Sequence, residues 1–311
     1  MANCDIVGVG MSTLDVLLRV GDMPTWEAPG RLTDFRLDGG GPVATACVAA
    51  ARLGARVGYV GTKGNDTAGE LKTRFLADAG VDISRIVETG MPEDQVICVY
   101  VQEGTGERVF SGLKRLGEAK LPMESLDREY IQAAKYLHLD GYHGDCARQA
   151  ATWVHEAGGL VCLDGRRSDG HPLPQTLVEL ICHVDILICG AGFCQSLSGD
   201  ENIWTAGPKA LEHGPRIVVE TRGEEGAYTF TAGEEFHTPA FEVDVVDTTG
   251  AGDVFHGAYL VGLLQGWNLR DTALFATAVS ASKCTKLGGR AGIPCFEDAL
   301  DFLRQRSIHI P

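Results

Sequence analysis

The ten cysteines of this chain form no Cys-x-x-Cys pair, and its nine histidines show no His-x-x-x-His or comparable spacing. Thiols scattered through apolar surroundings read as reduced core residues, which sets aside a disulfide scaffold and a zinc module. Basic residues are scarce: 27 Lys and Arg stand against 42 Asp and Glu, a formal net charge of −15. Binding to a phosphate backbone needs clustered cations, so no nucleic-acid partner is expected. No apolar run reaches the roughly 20 residues needed to cross a bilayer, so no membrane partner is expected either. The opening Met-Ala-Asn-Cys-Asp has no basic leader before an apolar segment, which gives the expectation of a soluble, cytoplasmic protein. The common nucleotide fingerprints are missing too. Gly8-Val-Gly-Met-Ser lacks the third glycine of a dinucleotide turn, and no Gly-x-x-x-x-Gly-Lys-Ser/Thr occurs, so neither Rossmann redox chemistry nor a P-loop is supported. Internal repeats, low-complexity segments and long linkers are absent from the sequence.

What is present is a core. The chain has 311 residues, 44% of them hydrophobic, which is enough to bury a large interior as one domain over 1–311. Short apolar runs alternate with helix-like segments. The runs are Ile6–Val9, Val57–Val60, Tyr136–Leu139, Leu160–Leu163, Ile186–Ile188 and Ile217–Val219. Helices are predicted from Pro42, near Glu70–Ala79, near Ala147–Ala157 and after Asp253. This alternation implies parallel βαβ units and a sheet covered on both faces, with ligands gathering at the carboxyl ends of the strands. Two segments break it. Asp15–Val20 with Leu32–Leu37, and Val96–Val101 with Glu107–Phe110 across Glu103-Gly-Thr-Gly106, read as antiparallel pairs. They predict a small separate sheet, with lid segments at about 13–38 and 95–112. Such a sheet cannot bury an apolar face alone, so two copies are expected to join through it, with Val16, Leu18, Val99 and Val101 on the covered face.

The most telling stretch is Asp247-Thr-Thr-Gly-Ala-Gly-Asp253. Gly250, Ala251 and Gly252 lie between a polar turn and an apolar helical run, making a helix N-terminus free of bulky side chains. Its unpaired N–H groups and positive dipole end can hold an anion. A carboxylate at Asp253 would repel an anion held there, so it reads either as a base placed beside that anion or as an ordinary Asp capping the helix. Far upstream, Asp38-Gly-Gly-Gly-Pro-Val-Ala-Thr45 offers a second glycine turn, where the backbone at Gly40 and Gly41 can approach a small polyol before a helix that starts on proline.

Together these blocks resemble the two signatures of the ribokinase-like, or pfkB, carbohydrate kinases, and the likeness covers nearly the full chain. The resemblance implies a three-layer α/β sandwich: a central, mainly parallel sheet with a small antiparallel β lid. It implies ATP and Mg²⁺ as cofactors and a small sugar as partner. Asp253 becomes the general base that deprotonates a sugar hydroxyl, and the Gly250–Gly252 amides the anion hole for the transferred phosphoryl group. Asp15 would receive two sugar hydroxyls, which suits a carboxylate. Thr45 stands where the family usually has Asn. Thr221, Gly223 and Gly226 fall on the nucleotide-side loop, while Lys283 and Gly289 fall on the adenine-side loop. In many relatives that last loop and the residue matching Asp247 bind a monovalent cation, K⁺. The family's Asn-x-x-Glu, which organises magnesium water, is replaced by Gly190-Ala-Gly-Phe193, leaving the metal to the phosphates and water.

Within the family, Gly39-Gly-Gly-Pro42, the 243–257 block and Lys283 through Pro294 look most like sulfofructose kinases. The three residues that read the sulfonate there match Arg31, Gly112 and Tyr142, so only the first keeps a cation. Arg108, Lys114, Arg115, Tyr142 and His143 are other candidates to read a sugar's tail. A nucleoside kinase remains open, with Phe35, Phe110 and Tyr142 to line a base slot. So does a sugar sensor without activity.

Overall fold

The computed structural model describes residues 4–104, 107–168 and 172–311. The chain opens on β1 (Ile6–Val9), leaves for the long hairpin β2 (Thr13–Asp22) and β3 (Arg31–Gly40), and enters α1 (Pro42–Arg52). It returns through β4 (Val57–Lys63), α2 (Thr67–Ala77) and β5 (Asp82–Glu88), then makes a second excursion, β6 (Val96–Gln102) and β7 (Arg108–Gly112). There follow α3 (Arg128–Gln132), β8 (Tyr136–Leu139), α4 (Gly144–Glu156), β9 (Leu160–Asp164), α5 (Gln175–Ile181) and β10 (Ile186–Gly190). Next come α6 (Phe193–Ser198), α7 (Ile203–Leu211), β11 (Ile217–Thr221), β12 (Ala227–Phe230) and β13 (Glu235–Thr238). Three helices close the chain: α8 (Ala251–Leu264), α9 (Leu269–Lys283) and α10 (Phe296–Arg304).

Among the described residues nine strands form the main sheet in the order β13-β12-β11-β10-β9-β8-β1-β4-β5. All pairings are parallel except those of β12 with its two neighbours. Side chains alternate across it with period two. Ile6, Cys162, Ile186, Ile188 and Val219 face the layer that holds α1, α8 and α9, while Val7, Val9, Val161, Leu163, Leu187 and Val218 face the layer of α4, α5 and α7. Small residues set the spacing: a side chain on Gly257 of α8 would meet Ala46 O of α1 at 2.2 Å. The chain runs outward from β1 to β4 and β5, then restarts at β8 on the other side. This reversal of strand order opens a crevice beyond the carboxyl ends of β1 and β8.

The smaller sheet has the order β3-β2-β6-β7. Both predicted pairs are antiparallel, and they are joined by a parallel seam of β2 against β6 that the sequence did not suggest. Thr105 and Gly106 of the predicted hairpin tip lie outside the described residues. One correction follows from the register. Leu17 pairs with Val99, whereas Val16 pairs with Cys98 and Leu18 with Tyr100. The four residues expected on one covered face therefore divide between two. Val99 and Val101, with Leu17, turn inward and pack on Leu287, whereas Val16 and Leu18 share the outer face with Phe35 and Leu37.

Candidate active site

Strand β1 ends where the crevice begins, and its continuation places Asp15 on the inner face of the lid. Asp15 is buried, with Thr13 Oγ1 donating to its Oδ1 at 2.5 Å. Across from it β3 ends at Gly40 and Gly41. A Cβ on Gly40 would lie 2.2 Å from Asp15 Oδ2. Gly41 has φ +89°, and its Cβ would strike Met11 O at 2.6 Å, so glycine is needed for both conformation and space. The turn delivers Pro42 as the first residue of α1 and seats Thr45, which is buried, one turn in.

The opposite wall is the start of α8. Gly250, at φ 72°, caps the helix, and Asp253 stands in its first turn. Gly250 touches both other walls: its Cβ would lie 3.0 Å from Gly289 O and 3.5 Å from Thr45 Cγ2. Ala251 N turns back to Thr248 O at 3.2 Å, and Val254 N is the first to bond within the helix, to Gly250 O at 2.9 Å. The N–H groups of Gly252 and Asp253 are thus the ones a helix start leaves without intrahelical acceptors. Desolvation pushes the Asp253 carboxyl well above its ordinary range; Asp164 at the end of β9 adds repulsion, Arg290 pulls the other way, and Asp15 and Asp140 raise it further. Burial also pushes Asp15 up to about 6, against the Thr13 hydrogen bond and Arg290.

Three residues that sequence reading missed complete this cluster. Asp140, the residue just past β8, accepts from Met11 N and Tyr142 N, both at 2.8 Å, and is pushed by burial up to about 6. Asp164 ends β9 and accepts from Arg166 N at 2.6 Å. Their signal was in the sequence, since Leu-His-Leu-Asp and Val-Cys-Leu-Asp each put a carboxylate at a strand's carboxyl end. Arg290 had no such signal. It is buried, and its Nη2 donates to Gly40 O at 2.8 Å and its Nε to Thr45 Oγ1 at 3.2 Å, which ties the C-terminal loop to the first glycine turn.

A groove of about 1300 Å³ runs from Ala251 and Gly252 past Thr221, Gly223 and Gly226 to Phe302 and Arg306. The predicted nucleotide-side residues therefore line one continuous space with the helix start. Lys283 and Gly289 do not line it; Lys283 is fully buried and its Nζ donates to Asp247 O at 2.7 Å. Arg31 is not brought to the pocket. It is exposed at the far end of β3, nine positions and roughly 30 Å of strand from Gly40. Tyr142, half-buried beside Asp140, has Lys120 Nζ 3.7 Å from its ring centroid. From the lid, Arg108 Nη2 reaches Thr248 Oγ1 at 2.7 Å, and Nη1 reaches Thr249 Oγ1 at 2.7 Å and Asp247 Oδ1 at 3.2 Å. The stretch Gly190–Phe193 offers no metal ligand. Glu220 next to it accepts from Gly192 N, Cys194 N and Arg222. With Cys189 and Cys194 it forms the one His/Cys/Asp/Glu group compact enough for a metal among the described residues.

A lidded crevice at the carboxyl edge of a parallel sheet, with a glycine-lined helix start and a carboxylate in its first turn, defines a phosphotransferase of the ribokinase fold. Ribokinase from Thermotoga maritima superposes with a TM-score of 0.83 at 25% identity, covering 97% of this chain and 99% of that one. Arabidopsis thaliana ribokinase complexed with ribose and ATP gives 0.82 at 24% identity, covering 97% and 99%. The pattern described as pfkB family carbohydrate kinase matches residues 5–295. Among curated relatives, the ATP-dependent ribose-1-phosphate kinase of Halopiger xanaduensis is 30% identical over 97% of this chain and 98% of its own length. The aminoimidazole riboside kinase of Salmonella typhimurium is 32% identical over 96% and 98%. This chain belongs to the pfkB family carbohydrate kinases: it is a sugar or nucleoside kinase, transferring phosphate to an alcohol acceptor. Among the described residues no helix is long and apolar enough to cross a membrane.

Proposed function

We propose that this protein is a cytoplasmic kinase that transfers the γ-phosphate of Mg-ATP to a primary hydroxyl of a small sugar. The observation that carries the reading is the placement of Asp253. Its carboxyl stands in the first turn of α8, whose Ala251 and Gly252 line the 1300 Å³ groove, and it lies within electrostatic reach of Asp164, Arg290, Asp15 and Asp140. ATP lying along Thr221, Gly223 and Gly226 brings its terminal phosphate to the start of α8. Asp15 accepts the sugar's hydroxyls and aligns one of them with Asp253, which takes the proton as that oxygen attacks. The free helix amides then stabilise the charge on the transferred group. Bound magnesium supplies charge neutralisation between the phosphates, held by them and by water.

The acceptor class is read as a furanose or its derivative, supported by the ribose 1-phosphate and aminoimidazole riboside kinases among the relatives. Sulfofructose is disfavoured because Arg31 stands away from the pocket. A nucleoside acceptor has the riboside kinase in its favour and is the second reading. An ADP-release assay over D-ribose, ribose 1-phosphate, D-fructose, sulfofructose, adenosine and aminoimidazole riboside should give turnover with a sugar or sugar phosphate. Turnover of nucleosides alone moves the assignment to the second reading, and silence across the panel overturns both.

The outer face of the lid carries the assembly proposal. Phe35 and Val109 are 56% and 58% exposed there, beside half-buried Val16, Leu18 and Tyr100. An apolar sheet face of this kind suits a second copy of itself. Sizing at micromolar concentration should give twice the 33.2 kDa chain mass, and Phe35→Asp with Val109→Asp should halve it. A wild-type monomer overturns this assembly.

A further inference from the structure

The family resemblance implies a monovalent cation at Asp247, and the residues around Asp247 do not fit one. Every oxygen of this buried residue already faces a protein donor. Oδ1 accepts from Thr249 N at 2.8 Å, Thr249 Oγ1 at 2.7 Å and Arg108 Nη1 at 3.2 Å, and Oδ2 accepts from Gly288 N at 2.9 Å. The main-chain oxygen accepts from Lys283 Nζ at 2.7 Å. Two of these donors carry positive charge, so an alkali ion placed on Asp247 would meet a guanidinium and an ammonium within a few ångströms. Inside a protein, repulsion at that range is far stronger than in water.

Lys283 itself is one of the largest fully buried side chains, an unusual place for an ammonium. It leaves the last turn of α9 and crosses beneath the turn that leads into α8. Gly292 closes over its backbone, where a Cβ would lie 2.2 Å from Lys283 O. The adjoining Cys284 O accepts from both Val246 N and Asp247 N, so α9 holds this turn at main-chain and side-chain level together. The charges that face the ammonium are those of Asp247, Arg108 and, across the turn, Asp253.

We infer that the Lys283 ammonium is a tethered cation that does at Asp247 what the family resemblance assigns to potassium, fixing the 247–250 turn so that the α8 N-terminus is set without an added ion. Lys283 is a positioning residue in this account, acting on the site through Asp247 and not on substrate. The inference rests on the kinase reading for what the turn accomplishes. It does not rest on that reading for what holds the turn.

The test pairs a cation series with removal of the ammonium. Wild-type turnover should agree within about twofold between 100 mM tetramethylammonium and 100 mM K⁺, and its melting temperature should not depend on which is present. Lys283→Ala should lose roughly 10- to 100-fold in turnover, the range that follows from a lost hydrogen bond to a charged group. K⁺ or NH₄⁺, but not tetramethylammonium, should restore part of that loss and raise the variant's melting temperature. A wild-type enzyme activated tenfold or more by K⁺, or stabilised by it, overturns the inference. So does a folded Lys283→Ala that matches wild type in tetramethylammonium. If Lys283→Ala does not fold, Lys283→Arg should keep both turnover and cation indifference, and potassium dependence in that variant again overturns it. The melting readout judges the lysine even with no active acceptor, so loss of the kinase reading and loss of this inference give different results.

Discussion

Asp253→Asn should lower turnover by roughly 10²- to 10⁴-fold, the usual scale for loss of a general base, while ATP and the sugar still bind. The amide keeps the shape of the first turn of α8 and removes only the capacity to take a proton. The acid side of the pH profile gives an independent check. A carboxyl pushed up by desolvation and by Asp164 stays protonated, and inactive as a base, to higher pH than an ordinary carboxylate. Wild-type turnover should therefore fall on the acid side at a pH above the usual carboxylate range, and the residual activity of the variant should lack that limb. An Asn variant within a few-fold of wild type at all pH values would remove Asp253 from the chemistry.

The second large effect is on stability and lies at the base of the lid. Lys72 Nζ and Glu93 Oε2 meet at 2.7 Å, each 1% exposed. Burial pulls the Lys72 ammonium below its ordinary range, and Glu93 opposes that pull. Glu93 also accepts from Gly64 N and Gln95 N, and the Gln95 side chain links Ser12 N to Thr62 Oγ1. Lys72→Met leaves a buried carboxylate without its cation and should cost about 3–5 kcal/mol in denaturant unfolding. The double change Lys72→Met with Glu93→Leu should lose less than the single one, because no charge is stranded. A single variant within 1 kcal/mol of wild type would show that water or another cation reaches the pair.

The parts of the fold that could be read from sequence are those whose neighbours do not matter. Strands such as Ile186–Gly190 are buried on both faces and are therefore continuous apolar runs. Asp82–Glu88, half-exposed at the sheet edge and rich in charge, has no such run and went unread, as did the antiparallel edge of β12 and β13. Lid register was lost for a related reason: β2 carries apolar residues on both faces, so alternation cannot say which face turns inward. In the site, the Gly250–Asp253 turn is local and its chemistry shows in seven residues. Arg290 reaches Gly40 from 250 positions away and Arg108 reaches Asp247 from 139, partnerships no spacing rule announces. Lys283 belongs by sequence to the loop expected on the nucleotide side, but its side chain leaves the groove and donates to Asp247 O.

The parallel seam between β2 and β6 also constrains the order in which this chain can assemble. Each lid hairpin closes locally, on the microsecond scale of hairpins. The seam joins Leu17 to Val99, about 80 residues apart, and closing a flexible loop of that length costs roughly 4 kcal/mol. That entropy falls away only once β1, β4 and β5 have paired and brought the segments before β2 and β6 side by side, where Leu14 N finds Gln95 O at 2.9 Å. The main sheet is thus the template for its own cover. In refolding followed by amide exchange, the β2–β6 amides should gain protection after those of β1 and β4, so the chain passes through a stage with the crevice built and nothing yet over it.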